Sequence, residues 1–185
     1  VTARQNRAAS LLKNHLSQDT LILFYAGEPI TKPGGLDQQY YFLPTPEYLW
    51  LTGSRRSGGC ICYSLSEGWN HFEKSVTTEE IVWEGATPFC NELDISDLKS
   101  WIQRKGFKKI AVFGTGNQIE LSVLSDSEMG QIKNAMDRAR RPKDSEEIDL
   151  IKQCAKAAEA GYKHLHNFIQ AGVTERQIQI EFETA

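Results

Sequence analysis

The C-terminal part of the chain constrains the fold most strongly, because it reads as a linker followed by two capped helices. Residues 138–143 are basic, and Pro142 disfavours helical geometry at the residue before it. Asp144-Ser-Glu-Glu147 then fits a capping box, in which the first side chain accepts from an N–H of the first helical turn and the last reaches back. This pattern predicts a linker at 138–143 and a new helix from residue 144.

The helix after this capping box carries one continuous apolar stripe. From Ile148 to Ile169 its apolar residues recur at alternating spacings of three and four, the period of one helix face. Gly172 is placed as the glycine that ends this helix, and Thr174-Glu-Arg-Gln177 is a second capping box. The stripe has no evident partner in the preceding sequence. We therefore expect these helices to open a domain whose other walls lie beyond Ala185.

Bulk composition disfavours several classes of protein. The 185 residues are 40% hydrophobic and 24% charged, with a formal net charge of -3, which is typical of a soluble globular protein. A chain without a basic excess is poorly suited to nucleic acid. No apolar stretch approaches the ~20 residues of a membrane span, and residues 1–10 lack the apolar core of a signal peptide. We predict a cytoplasmic protein with no nucleic-acid and no membrane partner.

The metal-binding residue types give little support for a metal site. Cys60-Ile-Cys62 places two thiols on one face of a predicted strand, but no C-x-x-C pair occurs, so we expect buried, reduced cysteines. His164 and His166 stand two apart on a predicted helix, which splays their rings. Asp126 and Asp137 have a spacing that two-metal hydrolases use, yet the arginines after Asp137 favour an exposed charge cluster. We assign no metal ligand and no catalytic residue to this chain.

The first 137 residues read as a self-sufficient α/β domain. Amphipathic patterns predict helices at 4–16, 93–105 and 127–137. Short apolar runs predict buried strands at 21–26 and 109–113. Aromatic-rich segments separated by proline and glycine predict antiparallel strands at 40–43, 48–52, 60–65 and 69–73. Residues 77–83 fit either a short helix or a strand. The expected architecture is a sheet with flanking helices.

Short motifs occur along the chain in an order shared with one enzyme family. The linker region carries Arg141-Pro-Lys143, Glu147-Ile148 and Gly172-Val-Thr174-Glu175. Upstream stand three further motifs: Asp37 with Tyr40-Tyr-Phe42, Tyr48-Leu-Trp-Leu-Thr-Gly53, and Trp83-Glu-Gly85. Together they resemble the N-terminal domain and domain junction of the Xaa-Pro peptidases, which include aminopeptidase P, prolidase and, more distantly, creatinase. The pattern departs at Leu43-Pro44, where many members carry Arg-Gln.

The resemblance implies a domain organisation in which one domain carries out the catalysis. It implies a creatinase-type N-terminal α/β domain at 1–137, with a mixed sheet of about six strands, and at 144–185 the first helices of a pita-bread metallopeptidase domain. Family members bind two divalent metals, commonly manganese, through two Asp, one His and two Glu. Those ligand motifs have no counterpart in this chain. The resemblance therefore implies that the full-length protein hydrolyses Xaa-Pro peptide bonds and that this chain alone does not.

The resemblance also implies partners and a rim around an active site. In this family the N-terminal domain pairs subunits and overhangs a neighbouring active site, so a homo-oligomer, most simply a dimer, is expected. Asp37 and Trp83 match family positions near that rim and are candidate substrate-rim residues. The alternative is that Asp37 caps a turn and Trp83 packs on the sheet. Two other functions stay open, namely a degenerate peptidase-like module that binds peptides or proteins, and a free-standing dimerisation domain.

Overall fold

The computed structural model describes residues 1–35, 38–85, 93–116 and 119–185, except for the side chain of Glu84. The chain divides into two compact units, Val1–Arg140 and Arg141–Ala185, called here the first and second units. The first unit consists of a sheet with helices on both faces, and the second is a pair of helices. No helix of the described ranges is long and apolar enough to cross a bilayer.

A mixed sheet of five strands forms the middle layer of the first unit, in the order β3-β2-β1-β4-β5. Its central strand, β1, pairs antiparallel with β2 and parallel with β4. The strands are β1 Thr20–Tyr25, β2 Cys60–Ser64, β3 Gly68–Phe72, β4 Lys109–Phe113 and β5 Ser122–Val123. The predicted mixed sheet is confirmed, with five strands where about six were expected. The strands predicted at 21–26, 60–65, 69–73 and 109–113 are confirmed as well.

Helices cover both faces of this sheet. Those that pack on it are α1 Thr2–Leu12, α2 Pro46–Thr52, α4 Leu98–Lys105 and α5 Asp126–Arg140. The unit also contains α3 Thr78–Glu84, whose residues Ile81, Val82 and Trp83 are exposed. A short 3₁₀ turn extends α1, and another precedes α4. The helices predicted at 4–16, 93–105 and 127–137 are therefore confirmed, and residues 77–83 belong to a helix. Helix α5 continues to Arg140, three residues beyond its predicted end at 137.

Two separate cores form because successive residues of a strand point to opposite faces of the sheet. On β1, Ile22 and Phe24 pack toward α1, α2 and α5, whereas Leu21 and Leu23 pack toward α4. Phe24 stacks on Phe113 of the neighbouring strand, with ring centroids 4.7 Å apart. A strand buried on both faces needs no alternation of polar and apolar residues, which explains the continuous apolar run at 21–26.

The prediction of a strand at 48–52 is wrong, because these residues form α2. Pro46 occupies the start of the helix, where its missing N–H costs nothing. Gly53 follows the last turn with φ 73°, a left-handed conformation that suits glycine. The helix directs Tyr48, Trp50 and Leu51 into the core, so the apolar residues are buried as expected but on a different element.

The prediction of a strand at 40–43 is also wrong. Among the described residues, the pairing next to this segment is an isolated antiparallel bridge between Thr31 and Gln39, and Tyr40, Tyr41 and Leu43 are exposed. A segment that lies between a glycine-rich loop and two prolines has no ladder partner to extend that bridge.

The second unit contains α6, Ser145–Phe168, and α7, Glu175–Thr184. Both helices begin with the predicted capping boxes, formed by Asp144 with Glu147 and by Thr174 with Gln177. Gly172 was predicted to end the first of these helices, and that prediction is wrong. Helix α6 ends at Phe168, and Gly172, with φ 92°, lies in the turn that leads into α7.

Close packing between α6 and α7 depends on a glycine. A Cβ at Gly161 would lie 2.6 Å from the ring of Phe182, so only glycine admits that ring. His164 Nε2 lies 2.7 Å from Glu181 Oε2 across the same pair of helices. Much of the stripe is nevertheless exposed, since Ile151 keeps 55% of its surface accessible and Tyr162, whose ring packs edge-on against Phe182, keeps 68%.

Candidate functional site

Trp83 projects into solvent from the end of α3. This short helix is fixed at its start by a capping box between Thr77 and Glu80 and ends at Gly85, with φ 66°. The Trp83 side chain is 84% exposed, and the neighbouring Val82 is also exposed. A tryptophan with this exposure does not pack on the sheet, so that alternative is wrong for Trp83. Its assignment to a substrate rim stays a prediction.

Asp37, the other candidate rim residue, lies outside the described residues. The backbone on either side of it is held by hydrogen bonds, since the Lys32 N–H donates to the Gln38 carbonyl at 2.9 Å and the Tyr40 N–H donates to the Ile30 carbonyl at 2.9 Å. Backbone hydrogen bonds therefore join residues 30–32 to residues 38–40.

A buried charged cluster lies between α2, the end of β3 and the turn before β2. It consists of Tyr48, Arg56, His71 and Glu73 and is called here the Glu73 cluster. The Glu73 side chain is only 3% exposed. Its Oε1 accepts a hydrogen bond from Tyr48 Oη at 3.0 Å and lies 3.4 Å from His71 Nε2. Its Oε2 lies 3.5 Å from Arg56 Nη1, so one buried carboxylate faces two basic side chains and a phenol.

The protons of the Glu73 cluster can be placed by counting donors. The Tyr48 phenol has one proton, and it donates that proton to Glu73 Oε1, because an ionised carboxylate only accepts. Tyr48 Oη also lies 2.9 Å from His71 Nε2, and it can only accept there. His71 therefore carries a proton on Nε2. The cluster is a directed chain of hydrogen bonds from His71 through Tyr48 to Glu73.

Burial decides the charge states in this cluster. It lowers the pKa of His71 below its ordinary 6.5, against the smaller opposing effect of the Glu73 charge. Burial, reinforced by the Glu73 charge, raises the pKa of Tyr48 well above its ordinary value. At neutral pH the imidazole and the phenol of the cluster are therefore both neutral.

A cleft of about 380 Å³ lies at the carboxyl ends of the parallel strands β1 and β4. Backbone of the glycine-rich turns forms much of its wall, including Gly58 and Gly59, and Lys74 and Glu28 supply its charges. Gly59 separates this cleft from the Glu73 cluster, because the position of its missing Cβ is filled by the Tyr48 phenol. The turn at 53–58, together with Gly59, therefore lies next to both the cleft and the Glu73 cluster.

The described residues do not fit the two-metal site that the resemblance implies for the whole enzyme. Among them, no group of three or more His, Cys, Asp or Glu side chains is placed to hold a metal ion. Asp126 and Asp137 both lie on α5, where the helical rise separates them by about 16 Å. Burial raises the pKa of Cys62 well above its ordinary value, which disfavours the thiolate that binds metals. Cys154 is exposed, so the prediction of a buried thiol is wrong there.

Reading the sequence did not find the Glu73 cluster. One signal was present, since His71 and Glu73 stand two residues apart at a strand and share a face. Two polar residues that share one face of a strand predict a partner from another element. That partner, Tyr48, was assigned to a strand, which concealed the contact.

Comparison with known proteins places the fold among peptidases. No protein-family model matches the chain. The uncharacterized peptidase YqhT of Bacillus subtilis (strain 168) is 30% identical over 83 residues, which are 44% of this chain and 23% of that protein. The chain is therefore much shorter than this curated relative.

Solved structures of aminopeptidase P align with nearly the whole chain. Pseudomonas aeruginosa aminopeptidase PepP aligns with a TM-score of 0.75 at 10% identity, covering 99% of this chain and 48% of that one. Zinc-substituted Escherichia coli aminopeptidase P in complex with product gives 0.66 at 13% identity, with coverage of 99% and 48%. Proline aminopeptidase P II from Yersinia pestis gives 0.66 at 12%, with 98% and 48%. The chain spans about half the length of these structures and has the fold of the N-terminal half of aminopeptidase P-like peptidases, as its motifs predicted.

Proposed function

We propose that this chain is the N-terminal, non-catalytic part of an Xaa-Pro dipeptidase or aminopeptidase P-like metallopeptidase, which pairs subunits and shapes a neighbouring active site. One observation carries this proposal. Nearly all of the chain aligns with about half of an aminopeptidase P structure, with a TM-score of 0.75. We assign the hydrolysis of peptide bonds before proline, and the two divalent metals it needs, expected to be manganese, to sequence outside residues 1–185.

The exposed stripe on α6 supports a continuation into a larger domain. Ile151 and Tyr162 on this helix are more than half exposed, and so is Ile169 directly after its end. Burying apolar surface stabilises a protein by roughly 25 cal/mol per Å², so a row of exposed apolar side chains favours contact with further protein. The first helices of a catalytic domain would present such a face to the rest of that domain.

The exposed tryptophan on α3 supports the shaping role. Trp83 is held outward by a helix that is capped at its start and ends at a left-handed glycine. Tryptophan is enriched at interfaces because its large ring combines apolar area with a polar N–H. Placed over the active site of a paired subunit, Trp83 and Asp37 would limit the length of the peptide that enters.

The proposal predicts peptidase activity for the full-length protein only, and self-association for both the full-length protein and residues 1–185. With manganese present, the full-length protein is expected to cleave a Gly-Pro dipeptide or a longer Xaa-Pro peptide, whereas residues 1–185 alone release no product above background. Light scattering on both samples over a range of concentrations is expected to show a dimer or a higher oligomer. Amino-acid release from a Gly-Leu dipeptide is the control for specificity.

Different outcomes separate the competing functions. A full-length protein that binds proline peptides without cleaving them, in the presence of manganese, cobalt or zinc, would support the degenerate binding module. Turnover by residues 1–185 would overturn the assignment of the chemistry to other sequence. A strict monomer at every concentration would contradict the pairing role.

Substitution of Trp83 tests the rim assignment. In the full-length protein, Trp83→Ala is expected to change the KM for Xaa-Pro peptides severalfold. The melting temperature should stay that of the parent protein, because an exposed side chain contributes within about 0.5 kcal/mol to stability. The matched control is Val82→Ala on the same helix, which shortens a side chain that is 69% exposed. Unchanged KM values for short and long peptides with Trp83→Ala would remove Trp83 from the rim.

A further inference from the structure

We propose that the Glu73 cluster is a pH-sensitive latch, in which His71 and Arg56 compete for the Glu73 carboxylate and protonation of His71 releases the turn at 53–58. This inference does not depend on the proposed peptidase function. It rests on an asymmetry between the two oxygens of Glu73 and on the different burial of the groups around them.

The asymmetry is visible in the contacts of the carboxylate. Oε1 accepts a hydrogen bond from Tyr48 at 3.0 Å and lies 3.4 Å from His71 Nε2. Oε2 faces Arg56 Nη1 at 3.5 Å, and among the described residues neither of these two atoms has a hydrogen-bond partner. The contact with Arg56 is thus an ion pair without a hydrogen bond, which is the weaker of the two attachments.

The members of the Glu73 cluster differ in solvent exposure, and this difference determines which side chain can move away from the others. Tyr48 is fully buried, and the Glu73 side chain is 3% exposed, whereas the Arg56 side chain is 30% exposed and can turn into water. Arg56 also lies within electrostatic range of a second carboxylate, Glu80 on α3. Release of Arg56 therefore costs far less than release of any other member.

Protonation of His71 adds the positive charge that weakens the ion pair between Arg56 and Glu73. The titratable or charged groups near His71 include Tyr48 from α2, Glu73 from the end of β3 and Arg56 from the turn, while its pairing partner on β2 is the apolar Ile61. A protonated His71 puts a second cation against one carboxylate, and an excess buried charge is costly. Because burial lowers the pKa of His71 below 6.5, we expect His71 to displace Arg56 from Glu73 only at pH values below 6.5.

The turn is held firmly at its ends and weakly in its middle. The Ser54 N–H donates to Thr52 Oγ1 at 3.0 Å, and the Gly58 N–H donates to the Gly27 carbonyl at 2.9 Å. Between them, the Arg56 N–H reaches Ser54 Oγ at 3.3 Å. Loss of the Arg56 ion pair leaves this long bond to restrain the middle of the turn, while Gly58, which lines the neighbouring cleft, keeps its backbone hydrogen bond.

Hydrogen exchange tests the latch on the 185-residue chain. Opening constants for the amides of residues 54–58 are measured from pH 7.5 to pH 5.5 and corrected for the intrinsic pH dependence of exchange. We expect opening to increase by up to about tenfold per pH unit once the pH falls below the His71 pKa of the open form. His71→Gln, which keeps a donor for Tyr48 but cannot gain a charge, is expected to show no such increase.

A second measurement keeps the test decisive if His71→Gln does not fold. NMR titration of the His71 imidazole is compared in the parent chain and in Arg56→Gln, where the competing cation is absent and the His71 pKa is expected to rise. Equal exchange at both pH values while His71 titrates, the same increase in His71→Gln, or an unchanged His71 pKa in Arg56→Gln would each overturn the latch.

Discussion

Replacing Gly59 with alanine is expected to lower the unfolding free energy of the first unit by about 3 kcal/mol, and its melting temperature by about 10 °C. Gly59 is buried beside Tyr48. An added Cβ would lie 2.9 Å from Cζ of that ring and 3.3 Å from the Phe72 carbonyl oxygen, with the phenol oxygen closer still. The Tyr48 ring is fully buried on α2, so it cannot turn away without breaking its hydrogen bond to Glu73.

Tryptophan fluorescence during urea denaturation measures this effect in the appropriate unit. The chain has four tryptophans, and all lie within Val1–Arg140. The matched control is Gly130→Ala on α5, where an added Cβ meets nothing within 4 Å. At that helical position alanine is expected to stabilise the unit by about 0.5–1 kcal/mol. If Gly59→Ala unfolds at the same urea concentration as the parent chain, Tyr48 does not occupy the position described.

The buried strands and the longer helices could be predicted from the sequence, whereas α2 could not. The runs at 21–26 and 109–113 were predicted correctly because a strand covered on both faces is a short, continuous apolar segment bounded by turns. The run at 48–52 has the same composition, and five residues are too few to separate a helical period from a strand period. The deciding signals were the flanking residues, since Pro46 and Gly53 mark the start and end of a helix.

The Glu73 cluster could not be predicted in full from local patterns. Its members come from α2, from the turn before β2 and from β3 with the residue that follows it. Which of these segments meet depends on the order of strands in the sheet and on the face that α2 covers. The ordered motifs, by contrast, identified the fold of the chain without any of these contacts, because short segments retained in order can match a family while their packing stays unknown.

Replacing Glu73 with alanine is expected to destabilise the first unit by about 3 kcal/mol, because removal of one partner leaves buried charge and donors uncompensated. Without the carboxylate, Arg56 Nη1 loses its counter-ion and the Tyr48 phenol loses its acceptor. Arg56 can partly recover by turning into water, since it is 30% exposed. Tyr48 is fully buried and cannot reach water, so it can recover only by donating to His71 Nε2, 2.9 Å away, in the other imidazole tautomer. The expected cost is therefore at the lower end of that for a broken buried ion pair.

Two further variants separate charge from hydrogen bonding in the same urea experiment. Glu73→Gln keeps an acceptor for Tyr48 but removes the charge opposite Arg56, and we expect about half the loss seen with alanine. Glu67→Ala breaks the partly exposed pair with Lys105, whose atoms lie 2.6 Å apart, and should cost at most about 1 kcal/mol. A Glu73→Ala variant as stable as Glu67→Ala would mean that solvent reaches the carboxylate. In that case Glu73 could neither hold Arg56 against His71 nor order the turn beside the cleft.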